Sequence, residues 1–157
     1  MKIILIIVLI FVIMLIANAV SQQYKDKFDF YYNLKVFLNQ FKINVSFKKE
    51  KIPNFINKIE SKKYFGLFID EYKGYLQNGN LNLESLKILE PEEKQQLLEI
   101  VHNLGRYNSE NESMQLENYL LLVEEKLNTA KENKIKLCPM IIKLALLFGI
   151  GLAIILV

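Results

Sequence analysis

The sequence predicts an all-α membrane protein in which two apolar terminal helices flank a compact antiparallel bundle of about six helices. The apolar residues concentrate at the chain ends: residues 3–20 contain one polar side chain, Asn18, and residues 137–157 contain one charged side chain, Lys143. Between the ends, apolar residues recur every three or four positions, the spacing that lines one face of a helix. We therefore predict a membrane helix over residues 1–20, a helical domain over residues 21–136 and a membrane helix over residues 137–157.

Both terminal segments are long enough to cross a bilayer, which makes membrane lipid the first expected partner. An apolar helix of about 20 residues spans the hydrocarbon layer, and Lys143 can extend its ammonium group toward the headgroups. In the second segment, Ala145, Gly149 and Ala153 recur every four residues and form a smooth stripe. The stripe either lets another helix pack closely, as in a homo-oligomer, or reflects how common small residues are in membrane helices.

The lysines predict the orientation in the membrane. Three lysines follow the first segment within residues 21–35, and four precede the second within residues 126–136. Because positive charge flanks the cytoplasmic ends of membrane helices, we expect both chain termini outside and residues 21–136 in the cytoplasm. A second interpretation stays open, since Lys2, the apolar run and Ala17-Asn18-Ala19 also fit a cleavable signal peptide. Cleavage would make the middle domain an extracellular binding module held by its C-terminal helix.

Apolar stripes and turn signals divide the first part of the middle domain into helices. The first helix is expected to continue out of the membrane as far as Phe41, and Pro53 near the start of the next stripe predicts a short helix. A third striped helix should end at Asn78-Gly79-Asn80, which is a turn signal. Another short helix is predicted over Leu83 to Leu89.

Two helices are predicted in the rest of the middle domain. Pro91 opens a helix that Gly105 should end, because glycine suits a left-handed helix cap. Ser109 and Glu112 have the spacing of a capping box, in which serine and glutamate satisfy free backbone N–H groups at a helix start. A long helix should follow and run toward Lys136.

Composition argues against catalysis, cofactors and nucleic acid. Residues 21–136 hold 18 lysines and arginines against 17 acidic residues, so no polycationic surface for nucleic acid is expected. Cys138 is the only cysteine and cannot form an intramolecular disulfide. His102 is the only histidine, and no glycine-rich phosphate loop or CxxC pair occurs. We predict a protein that is not an enzyme, with no catalytic, cofactor-binding or metal-binding residues.

The order of these parts resembles the stage III sporulation protein AB family. The similarity begins after the first membrane helix, continues through Leu104-Gly105, Gln115 and the leucine-rich helix to Leu127, and closes with the terminal apolar helix. The residues that carry it at the two ends are Leu38, Phe41, Val45, Phe47, Ile52, Pro53 and Ile56, then Ala145, Gly149 and Gly151. The chain departs from the family pattern at three places. It has Asn44 where the family usually has glutamate, and Asn108, Ser109 and Glu110 in the turn where the family has aspartate. It has no tryptophan, which the family often has at an aromatic position in the middle.

The resemblance implies a fold and a function beyond what the residue pattern predicts. It implies a domain similar to the cytoplasmic domain of type II secretion F proteins, in one copy instead of two. It places the protein in the mother-cell membrane around the forespore, as a structural part of a secretion-like channel. The implied partners are a secretion-type ATPase, which the helical domain would contact as a platform, and other membrane proteins of the channel complex.

Overall fold

The computed structural model describes residues 2–48, 50–59, 63–105 and 109–156, without the side chains of residues 2, 3, 5, 109, 110 and 156. These ranges contain helices, turns and irregular segments and no strand, which confirms the all-α class. The helices in chain order are α1 (Lys2–Ile43), a one-turn π-helix (Asn44–Lys48), α2 (Ile52–Asn57), α3 (Lys63–Asn78), α4 (Pro91–Asn103) and α5 (Ser109–Leu156).

The chain divides into two compact units, which we describe separately. The terminal unit comprises Met1–Phe28 and Asn128–Val157, and the central unit comprises Asp29–Leu127. These are limits of compact packing and not of a bilayer, so the membrane boundaries after residues 20 and 136 stay predictions. The prediction that the first helix continues beyond residue 20 is confirmed, since α1 is one helix as far as Ile43.

Aromatic side chains form the core where α1, α2 and α3 meet in the central unit. Phe37 lies at the middle of this cluster and is 2% exposed. Its ring centroid is 6.0–6.3 Å from the centroids of five other rings, those of Phe41, Phe55, Phe65, Phe68 and Tyr72. Aromatic pairs at this separation attract one another beyond the gain from burying their area. The apolar residues at helical spacing on α1, α2 and α3 therefore form the core of the central unit.

Leucine, isoleucine and valine side chains complete the core on the side of α4 and α5. These side chains lie on one face of each helix and are buried: Leu97, Ile100, Val101, Leu116 and Val123. The two helix ends expected from glycine are confirmed, because Gly79 follows α3 with φ +74° and Gly105 follows α4 with φ +79°. Only glycine adopts this left-handed conformation without strain.

The helix predicted over Leu83 to Leu89 is wrong, and the segment is a series of turns. Leu86 N–H donates to the Leu83 carbonyl and Leu89 N–H to the Leu86 carbonyl, each at 3.2 Å, while Asn82 Oδ1 accepts from the Glu84 N–H at 2.9 Å. The three leucines are buried at a spacing of three, which tight turns and helices share. The described residues therefore hold five α-helices, one fewer than expected.

Glutamates satisfy backbone N–H groups at both ends of α4. Glu93 accepts from the Glu90 N–H at 2.8 Å, across the first turn that Pro91 opens. Glu112, 2% exposed, accepts from the Gly105 N–H at 2.7 Å and so fixes the turn after α4. The Ser109 side chain lies outside the described residues, and the capping box expected there stays a prediction.

Candidate functional site

Two helices carry segments that are long and apolar enough to cross a membrane, judged by length and composition. In each helix, only 11% of the most apolar segment is buried. Phe11, Phe148 and Ile154 are 62%, 63% and 74% exposed. Continuous apolar surface of this extent is unfavourable in water, whereas lipid accommodates it. The exposed faces of the terminal unit therefore fit association with a membrane.

The inner face of the terminal unit is made largely of small side chains. Gly149 is buried, and a Cβ atom built on it would lie 3.5 Å from Ile10 Cγ1 and Cγ2. Cys138 Sγ donates to the Ser21 carbonyl oxygen at 3.4 Å, and Ala17 is 5% exposed. Small residues at these positions let the helices approach closely.

The three predicted packing residues lie on the less exposed side of α5. Gly149 is buried, and Ala145 and Ala153 are half-buried. Gly149 meets a residue of α1 of the same chain. A joint packing role for the three residues, and any role in a homo-oligomer, stays a prediction.

Gly149→Leu should weaken the terminal unit while Gly149→Ala leaves it nearly unchanged. An alanine Cβ would make ordinary contact with Ile10, but a leucine must displace that side chain, at a cost of about 1–3 kcal/mol. Reversible unfolding of the full chain in mixed micelles, followed by circular dichroism, would measure this. Gly151→Leu is the matched control, since nothing lies within 4 Å of a Cβ there. Equal losses for both leucine variants would contradict the prediction.

A second candidate surface lies at the end of the central unit where α1 passes into the π-helix. Asn44 is 2% exposed, and its side-chain amide makes two hydrogen bonds to the backbone of Glu50. Asn44 Nδ2 donates to the Glu50 carbonyl at 3.0 Å, and the Glu50 N–H donates to Asn44 Oδ1 at 3.3 Å. This pairing holds the π-helix and places Phe47, 82% exposed, on the surface. We name the segment Asn44–Lys48 with Glu50 and Lys51 the basic tip.

A cleft of about 450 Å³ lies beside the basic tip. Its apolar lining includes Phe37, Phe55 and Phe65 from the aromatic core, and its polar lining includes Lys48 and Lys58. Lys58 Nζ forms an ion pair with Glu50 Oε1 at 2.5 Å. The arrangement offers apolar contact in the cleft and positive charge at its edge.

The candidate chemical groups lie apart from this cleft. His102 Nδ1 is 2.7 Å from the Tyr75 hydroxyl oxygen. Among the described residues, no group of three or more histidine, cysteine, aspartate or glutamate side chains is placed to hold a metal ion. The prediction that the protein is not an enzyme and has no cofactor stays a prediction.

A buried tyrosine and glutamate pair links α1 to the start of α4. The Tyr31 side chain donates a hydrogen bond to the Glu93 carboxylate. Burial raises the pKa of the Tyr31 hydroxyl, and the Glu93 charge and hydrogen bond raise that pKa further. The protonated phenol is therefore the form that the folded chain stabilises.

Alkaline pH should destabilise the wild-type chain more than Tyr31→Phe. Since the folded-state pKa lies above the unfolded value of about 10, the folded chain retains a proton that the unfolded chain loses. The contribution of Tyr31 is fully present below pH 10 and decreases as the pH rises above it. Between about pH 8 and pH 11 we expect the variant to lose about 1 kcal/mol less than wild type. Urea unfolding at the two pH values would check this, and parallel losses would contradict it.

Sequence reasoning missed Glu93, Asn44 and the basic tip. Glu93 is 9% exposed and accepts a hydrogen bond at the start of α4, a burial that apolar spacing does not indicate for a glutamate. From the sequence, Asn44 could be recognised only as a departure from the family pattern. Its hydrogen bonds to Glu50 depend on a loop conformation that the spacing of residues does not reveal. The lysine-rich run around Lys48 was a visible signal, because a local excess of positive charge attracts acidic partners.

Taken together, the helices and the exposed apolar segments of the described residues fit the class of all-helical proteins that associate with membranes. The model of the stage III sporulation protein AB family matches residues 2–157. The chain belongs to that family, as the resemblance in the sequence predicted. Comparisons with curated proteins and with solved structures give no significant match. The name of the family fits a role in sporulation.

Proposed function

We propose that the chain is a structural component of a secretion-like channel complex between mother cell and forespore. The observation that carries the proposal is the family match over residues 2–157. The two apolar helices support a place in a membrane, which would be the mother-cell membrane around the forespore. The central unit would act as a platform of the type II secretion F kind that contacts a secretion-type ATPase, and its partners would include other membrane proteins of the complex.

The proposed topology has both termini outside and the central unit in the cytoplasm. A reporter phosphatase that is active only outside the cytoplasm, fused after Asn80, would test it. Asn80 is exposed and lies between α3 and α4, so the fusion leaves the helices intact. We expect no phosphatase activity there and activity when the reporter follows residue 157. Activity at residue 80 would refute the topology.

The competing function is an extracellular module released from its first segment at Ala17-Asn18-Ala19. Ala17 lies buried inside the uninterrupted helix α1, which supports retention of the segment. N-terminal sequencing of the mature protein decides between the two, because cleavage would give a chain that begins at Val20. A chain that retains residues 2–19 favours the channel component.

The assembly role is tested by deletion and by co-purification. Cells that lack the chain should fail to complete sporulation, and the tagged full chain in mild detergent should co-purify a secretion-type ATPase. A tagged chain lacking Asp29–Leu127 is the control for binding through the membrane segments alone. Normal sporulation in the deletion strain, together with no co-purified complex member, would end the proposal.

A further inference from the structure

Positive charge is concentrated in one short stretch of the central unit. Residues 42–63 contain seven lysines and two glutamates, whereas the rest of the chain contains 13 basic and 15 acidic residues. This stretch therefore carries more positive charge than the whole chain, whose net charge is +3. A local excess of this kind attracts acidic partners and orients their approach.

The described part of this stretch presents its charge and its apolar groups on a fixed frame. Lys48 and Lys51 are exposed, and no ion pair involves either of them within the described ranges. Phe47 is 82% exposed and adjoins Lys48. Phe47 and Lys48 lie in the loop between Asn44 and Glu50, and the side-chain amide of Asn44 closes this loop with two hydrogen bonds to the backbone of Glu50.

The cleft beside the tip adds space for side chains. Phe37, Phe55 and Phe65 line its apolar part. Lys48, Glu50 and Lys58 lie at its polar part, and Lys58 is paired with Glu50, so among the described residues Lys48 supplies the unpaired charge there. Ile43, which is 51% exposed, also lines it. The central unit begins at Asp29. At the rise of about 1.5 Å per residue in an α-helix, the end of α1 beside the cleft lies about 20 Å from Asp29. A partner can therefore reach it at one end of the unit.

We propose that the basic tip and its cleft bind an acidic, amphipathic segment of another protein. Carboxylates of the segment would pair with Lys48 and Lys51, and an apolar side chain on the same face would enter the cleft beside Phe55. The excess of lysines complements an acidic segment, and the cleft of about 450 Å³ has room for its apolar side chains. The inference rests on the proposed function only in treating the central unit as a part that binds other proteins.

Photo-crosslinking from the tip tests this directly. Phe47→benzoylphenylalanine in the full chain, in the native cell during sporulation, places a reactive ketone at an exposed site that contributes nothing to the core. We expect an adduct with one protein, whose crosslinked peptide is rich in aspartate or glutamate and carries apolar residues. Leu121→benzoylphenylalanine, at a side chain 67% exposed on α5, is the positional control.

Charge variants decide whether the lysines cause the binding. In the crosslinking chain, Lys48→Glu/Lys51→Glu should lower the adduct yield by about tenfold or more, because like charges across an interface repel strongly. Lys48→Arg/Lys51→Arg keeps both charges and should retain the adduct. Lys87→Glu, at an exposed lysine between α3 and α4, controls for the reversal of one charge away from the tip. If the double variant proves unfolded by circular dichroism, Lys51→Glu alone, which should lower the yield about threefold, takes its place.

Several outcomes would overturn the inference. These are an adduct with lipid, an adduct with a second copy of this chain, equal yield from Leu121, a yield unaffected by the glutamate variants, or no adduct. If the full chain still co-purifies the ATPase in any of these cases, the inference fails and the channel proposal stands. If the expected adduct forms but deletion leaves sporulation normal and no complex member co-purifies, the channel proposal fails and the inference stands.

Discussion

Phe37→Ala should lower the free energy of unfolding by about 3–5 kcal/mol, the largest effect that we expect from one side chain. Phe37 is 2% exposed and its ring adjoins five others, from α1, α2 and α3. The substitution removes the central ring and leaves a void that helices fixed by several other contacts cannot close. Urea unfolding of the full chain in mild detergent, followed by near-ultraviolet circular dichroism, measures the change.

Phe47→Ala is the matched control for that loss. It makes the same chemical change at a ring that is 82% exposed, so we expect a change within about 0.5 kcal/mol. Phe37→Leu should fall between the two, because it keeps most of the apolar volume. If the two alanine variants unfold at the same urea concentration, the aromatic cluster is not the core of the central unit.

Gly105→Ala should destabilise the chain by about 1–3 kcal/mol through two effects at once. Gly105 has φ +79°, which an alanine adopts only under strain. In addition, a Cβ atom built there would overlap Ile52 Cδ1, so the Ile52 side chain must turn away. That movement would disturb the contact between the turn after α4 and the start of α2.

Two other glycines separate these effects in the same unfolding assay. Gly79→Ala has the strain without the overlap, because φ is +74° and nothing lies within 4 Å of the added Cβ. Gly74→Ala has neither and lies inside α3, where alanine is the better helix former, so it should stabilise by up to about 1 kcal/mol. We expect the loss at Gly105 to exceed that at Gly79. A Gly105→Ala variant as stable as Gly74→Ala would contradict the argument.

The helices could be predicted from sequence where apolar spacing and a stop signal agree. Gly79 and Gly105 follow the ends of α3 and α4 because both positions need a left-handed backbone, a requirement that residue type reveals. The segment Leu83 to Leu89 was misjudged because leucines three apart satisfy a helical pattern and a pair of tight turns equally. Local spacing cannot separate these cases when the buried contact is made with distant residues.

The candidate surfaces were harder to predict than the helices. The apolar terminal segments are a property of composition, so they could be recognised directly. The basic tip depends on a bond between Asn44 and the backbone of Glu50, six residues away, and on the packing of Phe55 and Phe65 beside it. Such contacts depend on how the loop folds back onto α1. The sequence shows the lysines but not that they surround a cleft.

Asn44 holds the loop through a side chain that carries no ionisable proton. Its carboxamide both donates to and accepts from Glu50, whereas an ionised carboxylate at residue 44 could only accept. The geometry it imposes should therefore be the same in an acidified compartment as in a neutral one. The support beneath the lysines therefore does not depend on the charge state of residue 44.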